Sequence, residues 1–291
     1  MCDLNTTLKK SIIKCLALGL YLYISLMSTK LVADNKPAQR IIALSPHSVE
    51  LLYAIGAGDK IVATLEYSDY PKAAKAIPRI GSFAGVQIEK LVEFQPDLVV
   101  GWKSGNKTSD LDKIKSLGFN LVYTQPSNIN GIFSDLETLG ELTGRQKSAK
   151  SVIDNMKHRY QLIQQKYEKA QTINVFYQLW HDPLQSVGGD SWIESLIKDC
   201  GATNIFRDSH SPYPMISMES VIVKNPDVII IPNHSGSSGE ELGFWSKWTE
   251  IAAVKSNNIF TIDSDLLHRF SPRALDGLQI LCEKIDKARQ N

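Results

Sequence analysis

The chain of 291 residues has no excess of charge of either sign, because 32 lysines and arginines balance 31 aspartates and glutamates. A nucleic-acid-binding protein needs a basic surface to release counterions, so we expect no nucleic-acid partner. The G-x-S-x-G, H-E-x-x-H and G-x-x-x-x-G-K-[ST] motifs are also missing, and no G-x-G-x-x-G follows the first predicted strand. These motifs mark hydrolases, zinc proteases and nucleotide-binding folds. We therefore predict a protein that is not an enzyme and holds no cofactor.

Histidine is scarce, and its spacing is not that of a metal site. The six histidines are His47, His158, His181, His210, His234 and His268. A zinc or manganese site needs three or four converging nitrogen and oxygen ligands, and no short-range spacing links these residues. We expect no metal, with convergence of His47, His181 and His268 as the alternative.

No apolar run at the start of the chain reaches the roughly 20 residues that span a bilayer. The run over 15–27 follows Lys9, Lys10 and Lys14 and precedes a small residue at Ala33. This order is typical of a secretory signal peptide, which we predict over residues 1–33, so that the mature protein is periplasmic. A single membrane anchor is the alternative.

Cysteine is scarce as well. Of four cysteines, Cys2 and Cys15 lie in the predicted leader, which leaves Cys200 and Cys282. Disulfides persist in an oxidising compartment, so we predict that these two residues pair. Two separate buried thiols are the alternative, and the absence of a C-x-x-C element argues against a metal site.

Short apolar runs alternate with helical stretches from Arg40 to the end of the chain, as in β-α units. Continuous apolar strands separated by helices predict parallel sheets covered on both faces. Residues 145–170 contain no glycine or proline and carry an apolar stripe with helical spacing. We predict an α/β fold with two Rossmann-like lobes, each with a central parallel sheet, joined by one long connecting α-helix. The predicted bounds are 40–143 for the first lobe, 144–170 for the helix and 171–291 for the second lobe. The alternative to a connecting helix is a surface helix within one continuous domain.

One internal repeat supports two similar lobes. Glu89 precedes Pro96-Asp97 and an apolar strand, and Glu219 precedes Pro226-Asp227 and a second apolar strand at the same spacing. A helix, a Pro-Asp turn and a buried strand therefore recur once in each half.

Aromatic residues cluster where the predicted strands end. The carboxyl ends of strands line the ligand crevice in open α/β sheets, and rigid rings suit a large, flat and partly apolar ligand. The residues concerned are Tyr67, Tyr70, Phe83, Trp102, Trp180 and Tyr213, whereas Trp245 and Trp248 are expected in the core.

Five segments carry a resemblance to a known family: 44–46 (LSP), 66–71 (EYSDYP), 96–102 (PDLVVGW), 200–206 (CGATNIF) and 269–273 (RFSPR). In these segments the chain resembles the class III, helix-linked family of periplasmic substrate-binding proteins, and among them the cobalamin receptors. The resemblance implies that the protein captures cobalamin between its lobes and, as a monomer, delivers it to the permease and ATPase subunits of an ABC importer. A haem or siderophore receptor of the same fold is one alternative, and a two-domain chelatase-like enzyme is another.

The resemblance also implies site residues. Tyr67 and Trp102 would contact the ligand, and Phe83 and Tyr213 stand where the family's cobalamin receptor carries tryptophan. The second lobe would border the ligand through Asp265, Leu266, Leu267, His268 and Arg269. Glu89 and Glu219 would dock into arginine pockets on the importer, because a carboxylate accepts a forked guanidinium well.

Overall fold

The computed structural model describes residues 36–233 and 238–290. The predicted signal peptide over 1–33 and the histidine at position 234 lie outside these ranges. No helix in the described part of the chain is long and apolar enough to cross a bilayer. Residues Ala38–Asn291 group into one compact unit.

The first half of the described chain contains six strands: β1 (Ile41–Ala43), β2 (Ile61–Thr64), β3 (Gly81–Ser82), β4 (Gly85–Val86), β5 (Leu98–Trp102) and β6 (Leu121–Thr124). Four of them form a parallel sheet with strand order β2-β1-β5-β6. The other two, β3 and β4, form a short antiparallel hairpin. The helices are α1 (Pro46–Ala54), α2 (Ile88–Glu93), α3 (Thr108–Ser116) and α4 (Ile129–Thr143). Helix α1 begins where local chemistry favours it, because the Ser45 side chain accepts from the Ser48 N–H and Pro46 occupies the first turn.

The second half repeats this plan with four strands, β7 (Asn174–Tyr177), β8 (Thr203–Asn204), β9 (Val228–Asn233) and β10 (Ile259–Asp263). They form a sheet of order β10-β9-β7-β8, which is also parallel throughout. The remaining helices are α5 (Gln146–Tyr167), α6 (Trp192–Asp199), α7 (Met218–Lys224), α8 (Ser238–Trp245), α9 (Ala252–Lys255), α10 (Ser264–His268) and α11 (Ala274–Arg289). The predicted α/β class with two parallel sheets is confirmed.

Helix α5 runs for 22 residues between the two sheets. Its buried side chains follow the spacing of three and four that the sequence shows, and they include Met156, Tyr160 and Ile163. These side chains belong to one apolar core with Ile41 of the first sheet and Val175 of the second. The helix is therefore packed into the core that both sheets share.

Alternate residues of each strand bury on opposite faces of the sheet. Ile41 and Ala43 face the shared core, whereas Ile42 and Leu44 pack in a separate cluster beneath α3. In the second sheet Phe176 and Ile229 likewise pack away from the shared core, against Trp245. Trp245 is fully buried, as predicted. Both sheets are covered on two faces, which agrees with their continuous apolar strands.

The internal repeat of the sequence is also a repeat of hydrogen bonds. The Asp97 N–H donates to the Arg40 carbonyl at 2.9 Å, while the Asp97 carboxylate accepts from the Arg40 N–H at 2.9 Å. Asp227 makes the same reciprocal pair with Asn174, at 2.9 Å in both directions. In each lobe this aspartate ties the turn before one strand to the start of its neighbour.

The predicted disulfide between Cys200 and Cys282 is confirmed, with the two Cα atoms 4.8 Å apart. It joins the end of α6 to the middle of α11, both in the second half of the chain. Both cysteines are fully buried in the shared core, where α5 also packs.

Candidate ligand cleft

Large aromatic side chains stand exposed near the carboxyl ends of the strands. Tyr67 follows β2, Phe83 lies at the tip of the β3–β4 hairpin, and Tyr213 lies in the loop after β8. Their exposed fractions are 67%, 77% and 50%. Exposed aromatic rings that follow the carboxyl ends of strands are typical of a surface that a ligand or partner covers.

Tyr67 is held in an uncommon backbone conformation, with φ at 65° in the left-handed region. A bulky residue rarely adopts this conformation, which costs on the order of 1 kcal/mol or more and is often associated with functional sites. Nearby, Ser68 is fully buried and its hydroxyl lies 2.9 Å from that of Thr64 at the end of β2. The turn thus buries the serine while the tyrosine ring points to solvent.

Trp102, at the end of β5, is only partly exposed and belongs to an aromatic cluster. Its ring lies edge-on to His47 at 5.3 Å and to Phe270 at 5.7 Å between centroids. Phe270 in turn contacts Trp192 at 4.9 Å. His47 and Trp102 come from the first sheet's end and Phe270 and Trp192 from the second half. The cluster therefore joins the two halves beneath the exposed aromatic residues.

His47 is buried, and the loss of water lowers its pKa to about 3. Its Nε2 lies 2.8 Å from Thr124 Oγ1. The imidazole is thus uncharged at neutral pH and packed between rings. Within residues 36–233 and 238–290, no group of three or more histidine, cysteine or acidic side chains is placed to hold a metal ion.

The predicted second-lobe contacts around α10 divide into exposed and buried residues. Asp265 and Leu266 are partly exposed, whereas Leu267 is fully buried in the shared core. Apolar packing therefore removes the Leu267 side chain from the surface. Its carbonyl instead accepts from Trp192 Nε1 at 2.7 Å. His268 Nε2 lies 2.8 Å from the hydroxyl of Tyr177, a fully buried residue.

A buried carboxylate that sequence analysis missed, Glu50 of α1, connects the two halves. It accepts hydrogen bonds from Ser271 at 2.6 Å, from Arg269 at 3.1 Å, and from Arg273 at 2.6 and 2.9 Å. Glu50 is 4% exposed, so these charge-assisted bonds form away from water. An acidic residue among apolar helix neighbours was the one signal that could have pointed to it.

Arg269 shares its guanidinium among three carboxylates. Besides Glu50, it pairs with Asp69 at 2.7 Å and with Asp265 at 2.8 Å. Partial burial works to raise the pKa of Asp69, but the hydrogen bond and charge of Arg269 hold it below its usual value. Partial burial raises the pKa of Asp265, and Arg269 opposes this only in part. Arg273 lies over the Tyr70 ring, 3.8 Å from its centroid.

A cavity of about 380 Å³ opens at the carboxyl ends of β7 and β9. Its lining includes Gln178, Trp180, His181 and Glu241. Gln178 is buried, donates to Glu241 at 2.8 Å and accepts from Trp245 Nε1 at 2.7 Å. Sequence analysis predicted Trp180 at this edge but not Gln178 or Glu241.

The two repeated glutamates occupy equivalent positions in the two halves. Glu89 and Glu219 are exposed in the first turns of α2 and α7, which precede β5 and β9. The Glu219 backbone N–H and the Ser217 hydroxyl lower the pKa of Glu219. A carboxylate in a helix's first turn is favoured by the helix dipole, so this position needs no partner to be stable.

The sequence of the chain matches a known family. The family model described as periplasmic binding protein covers residues 41–266. This chain belongs to the periplasmic binding protein family. Members of the family are binding proteins, and their description places them in the periplasm.

Two relatives of this chain are named for the same ligand. The vitamin B12-binding protein of Vibrio parahaemolyticus is 31% identical over 270 residues, which cover 92% of this chain and 97% of that protein. The vitamin B12-binding protein of Vibrio cholerae is 34% identical over 265 residues, 91% of this chain and 95% of that protein.

Solved structures agree with the family. The crystal structure of the periplasmic vitamin B12 binding protein BtuF of Vibrio cholerae aligns with a TM-score of 0.82 and 34% identity, covering 88% of this chain and 99% of that one. The periplasmic haem-binding protein RhuT from Roseiflexus aligns with a TM-score of 0.77 at 20% identity, over 86% and 99% of the two chains. The second match shows that the fold is shared across ligands.

Proposed function

We propose that this protein captures cobalamin at the carboxyl ends of its two sheets and delivers it to an ABC importer. The observation that carries the proposal is the exposure of Tyr67, Phe83 and Tyr213 on that edge. Three rings with half or more of their surface in water supply apolar contact area at low entropic cost, which suits a broad, flat macrocycle. The names of the relatives at 31% and 34% identity point to the same ligand.

The proposed mechanism is binding without any change in covalent bonds. The long helix α5 lies in the core that both sheets share, and Glu50 ties the two halves together near the binding edge. A large hinge opening would have to separate these buried contacts, so we expect capture with modest closure. On this proposal the protein is not an enzyme, requires no cofactor and works in the periplasm after residues 1–33 are removed.

Delivery requires contact with the importer, and we propose that Glu89 and Glu219 make it. Both side chains are exposed at equivalent places in the repeat, so that each half presents one carboxylate. The double variant Glu89→Lys/Glu219→Lys should abolish vitamin-dependent growth or uptake while leaving the affinity for cyanocobalamin unchanged. A parallel loss of affinity, measured on the purified protein, would argue against a docking role.

Isothermal titration of the purified protein with cyanocobalamin tests the ligand. We expect saturable one-to-one binding, weakened by about tenfold in each of Tyr67→Ala and Tyr213→Ala because each loses the contact area of one ring. Leu162→Ala is the control, since Leu162 is an exposed apolar residue of α5. Absorbance titrations with haemin and a ferric siderophore examine the two related ligands. Absence of cyanocobalamin binding would overturn the proposal, and turnover of any of the three would favour a chelatase-like enzyme.

A further inference from the structure

The two arginines on the binding edge are already neutralised by the protein itself. Arg269 pairs with Glu50, Asp69 and Asp265, and Arg273 pairs with Glu50. Three carboxylates against two guanidiniums leave this cluster with a net charge of −1. An anionic ligand that approaches here meets a surplus of negative charge.

Neither arginine is readily available to a ligand. The side chains of Arg269 and Arg273 are 11% and 19% exposed, and the face of Arg273 is covered by Tyr70. A ligand carboxylate would have to displace a protein carboxylate that is tethered within the same cluster. The displaced aspartate would stay close by and repel the incoming anion.

The acidic members of the cluster are also its exposed members. The side chains of Asp69 and Asp265 are 47% and 43% exposed, whereas that of Glu50 is 2% exposed. Asp69 lies between Tyr67 and Tyr70, two of the exposed rings. Asp263 adds a further repulsive charge next to Asp265. The surplus charge therefore lies on the exposed part of the cluster, next to Tyr67 and Tyr70 in the chain.

We propose that Asp69 and Asp265 are specificity-determining residues that make this edge reject anionic ligands and accept uncharged ones that carry amide groups. The inference rests on the proposed function and deepens it. Haem presents two carboxylates and many ferric siderophores carry net negative charge. A corrinoid presents mainly uncharged amides, whose N–H groups can donate to the outer oxygens of these aspartates.

Two exposed lysines lie near this cluster. Lys103 directly follows Trp102 at the end of β5 and is exposed. Lys75 is also exposed, and its charge helps to lower the pKa of Asp69. A lysine in full contact with water attracts an anion weakly, because water screens its charge. Neither lysine compensates for the buried pairing of the two arginines.

The test compares wild type with Asp69→Asn/Asp265→Asn, which keeps the side-chain shapes and changes the net charge of the cluster from −1 to +1. The probes are cyanocobalamin, its monocarboxylic acid derivatives, in which one amide is replaced by a carboxylate, and haemin. For the double variant we expect affinity for haemin and for the monocarboxylic acids to rise by about tenfold. Affinity for cyanocobalamin should change by less than about threefold, in line with the modest net worth of exposed polar contacts.

The control variant, Asp59→Asn/Asp112→Asn, removes the same charge from exposed positions before β2 and on α3. It should leave all affinities unchanged, and circular dichroism checks that each variant is folded. Haemin affinity that stays unchanged or undetectable in the Asp69→Asn/Asp265→Asn variant would overturn the inference. Failure of wild type to bind cyanocobalamin would instead reject the proposed function, and the haemin comparison would still decide the role of the two aspartates.

Discussion

The two halves of this protein are built alike at one edge of their sheets and differently at the other. At the amino edge, Asp97 and Asp227 make the same reciprocal hydrogen bonds with Arg40 and Asn174. At the carboxyl edge, the first half supplies the buried carboxylate of Glu50, whereas the second half supplies Arg269 and Arg273, which pair with it. The amino edge, which is alike in both halves, stabilises the fold, and the carboxyl edge, which differs between them, holds the candidate site.

The comparison shows how a pseudo-symmetric fold acquires an asymmetric site, to which each half contributes different residues. A β-α repeat needs its turns to satisfy the backbone groups at the starts of neighbouring strands in both halves, so the same aspartate recurs. Opposite charges placed on the two halves, in contrast, can pair across them. Glu50 pairs with Arg273 because the halves differ at this edge.

The largest expected difference between the halves comes from the disulfide. Residues 40–143 contain no cysteine, whereas Cys200 and Cys282 close a loop of 82 residues in the second half. Cys200→Ala/Cys282→Ala should lower the free energy of unfolding by about 4 kcal/mol, because the unfolded chain gains freedom. Urea denaturation followed by circular dichroism measures this. Reductant should destabilise wild type by a similar amount and leave the variant unchanged; a loss under about 1 kcal/mol would show that the bond constrains little.

The next largest effect concerns the pairing between the halves. Glu50→Ala should lower the free energy of unfolding by about 3 kcal/mol, because it leaves the Arg269 and Arg273 side chains without their buried partner. Thermal and urea unfolding measure the change. Glu66→Ala, at an exposed acidic position after β2, is the matched control and should change stability by less than about 0.5 kcal/mol. Equal effects of the two variants would contradict a role for Glu50 in joining the halves.

A third difference is pH dependence. Each half buries a polar side chain beyond its first strand. His47 comes four residues after the end of β1 and Gln178 directly follows β7, and of these two only His47 titrates. The folded pKa of His47, about 3, lies below the usual 6.5, so the unfolded chain takes up a proton first as pH falls. His47 therefore contributes stability that is present above pH 6.5 and is lost on acidification toward pH 3.

His47→Gln should remove this contribution, about 2 kcal/mol between pH 6.5 and pH 5. Urea unfolding at a series of pH values gives the slope for each variant. Thr124→Val removes the hydrogen-bond partner of the imidazole but keeps the imidazole, so its slope should match wild type. A His47→Gln slope that also matches wild type would mean that the ring does not stay neutral in the folded protein.

The smallest expected effect concerns the amino edge of the two sheets, where Asp97 and Asp227 lie. Asp97→Ala and Asp227→Ala should each lower the free energy of unfolding by about 1 kcal/mol, since each loses a carboxylate that accepts from backbone N–H groups. Asp97 also accepts from the Gln39 N–H, but these bonds are exposed, so its loss should exceed that of Asp227 by no more than about 0.5 kcal/mol. Asp112→Ala, on the exposed surface of α3, is the control. A larger difference between the two variants would show that the two aspartates have the same geometry but contribute differently to stability.

Local patterns predicted those features that depend on neighbouring residues. The apolar run at 97–102 became β5 (Leu98–Trp102), and the stretch at 145–170 without glycine or proline became α5 (Gln146–Tyr167). Patterns failed where the outcome depends on distant packing. Leu266 and Leu267 look alike in sequence, yet only Leu267 is fully buried. Which of two adjacent leucines turns inward depends on the strand and helices against which α10 packs.

The amino-acid sequence alone determined the α/β class, the internal repeat and the two cysteines that pair, because periodicity, turn residues and composition are local properties. Only the tertiary structure decided that Glu50 meets Arg269 and Arg273, residues 219 and 223 positions away. It also decided that Arg269 and Arg273, which could have bound an anionic ligand, form ion pairs with aspartates and a glutamate of the same chain. Charges act through space, and the fold alone sets the distances between them.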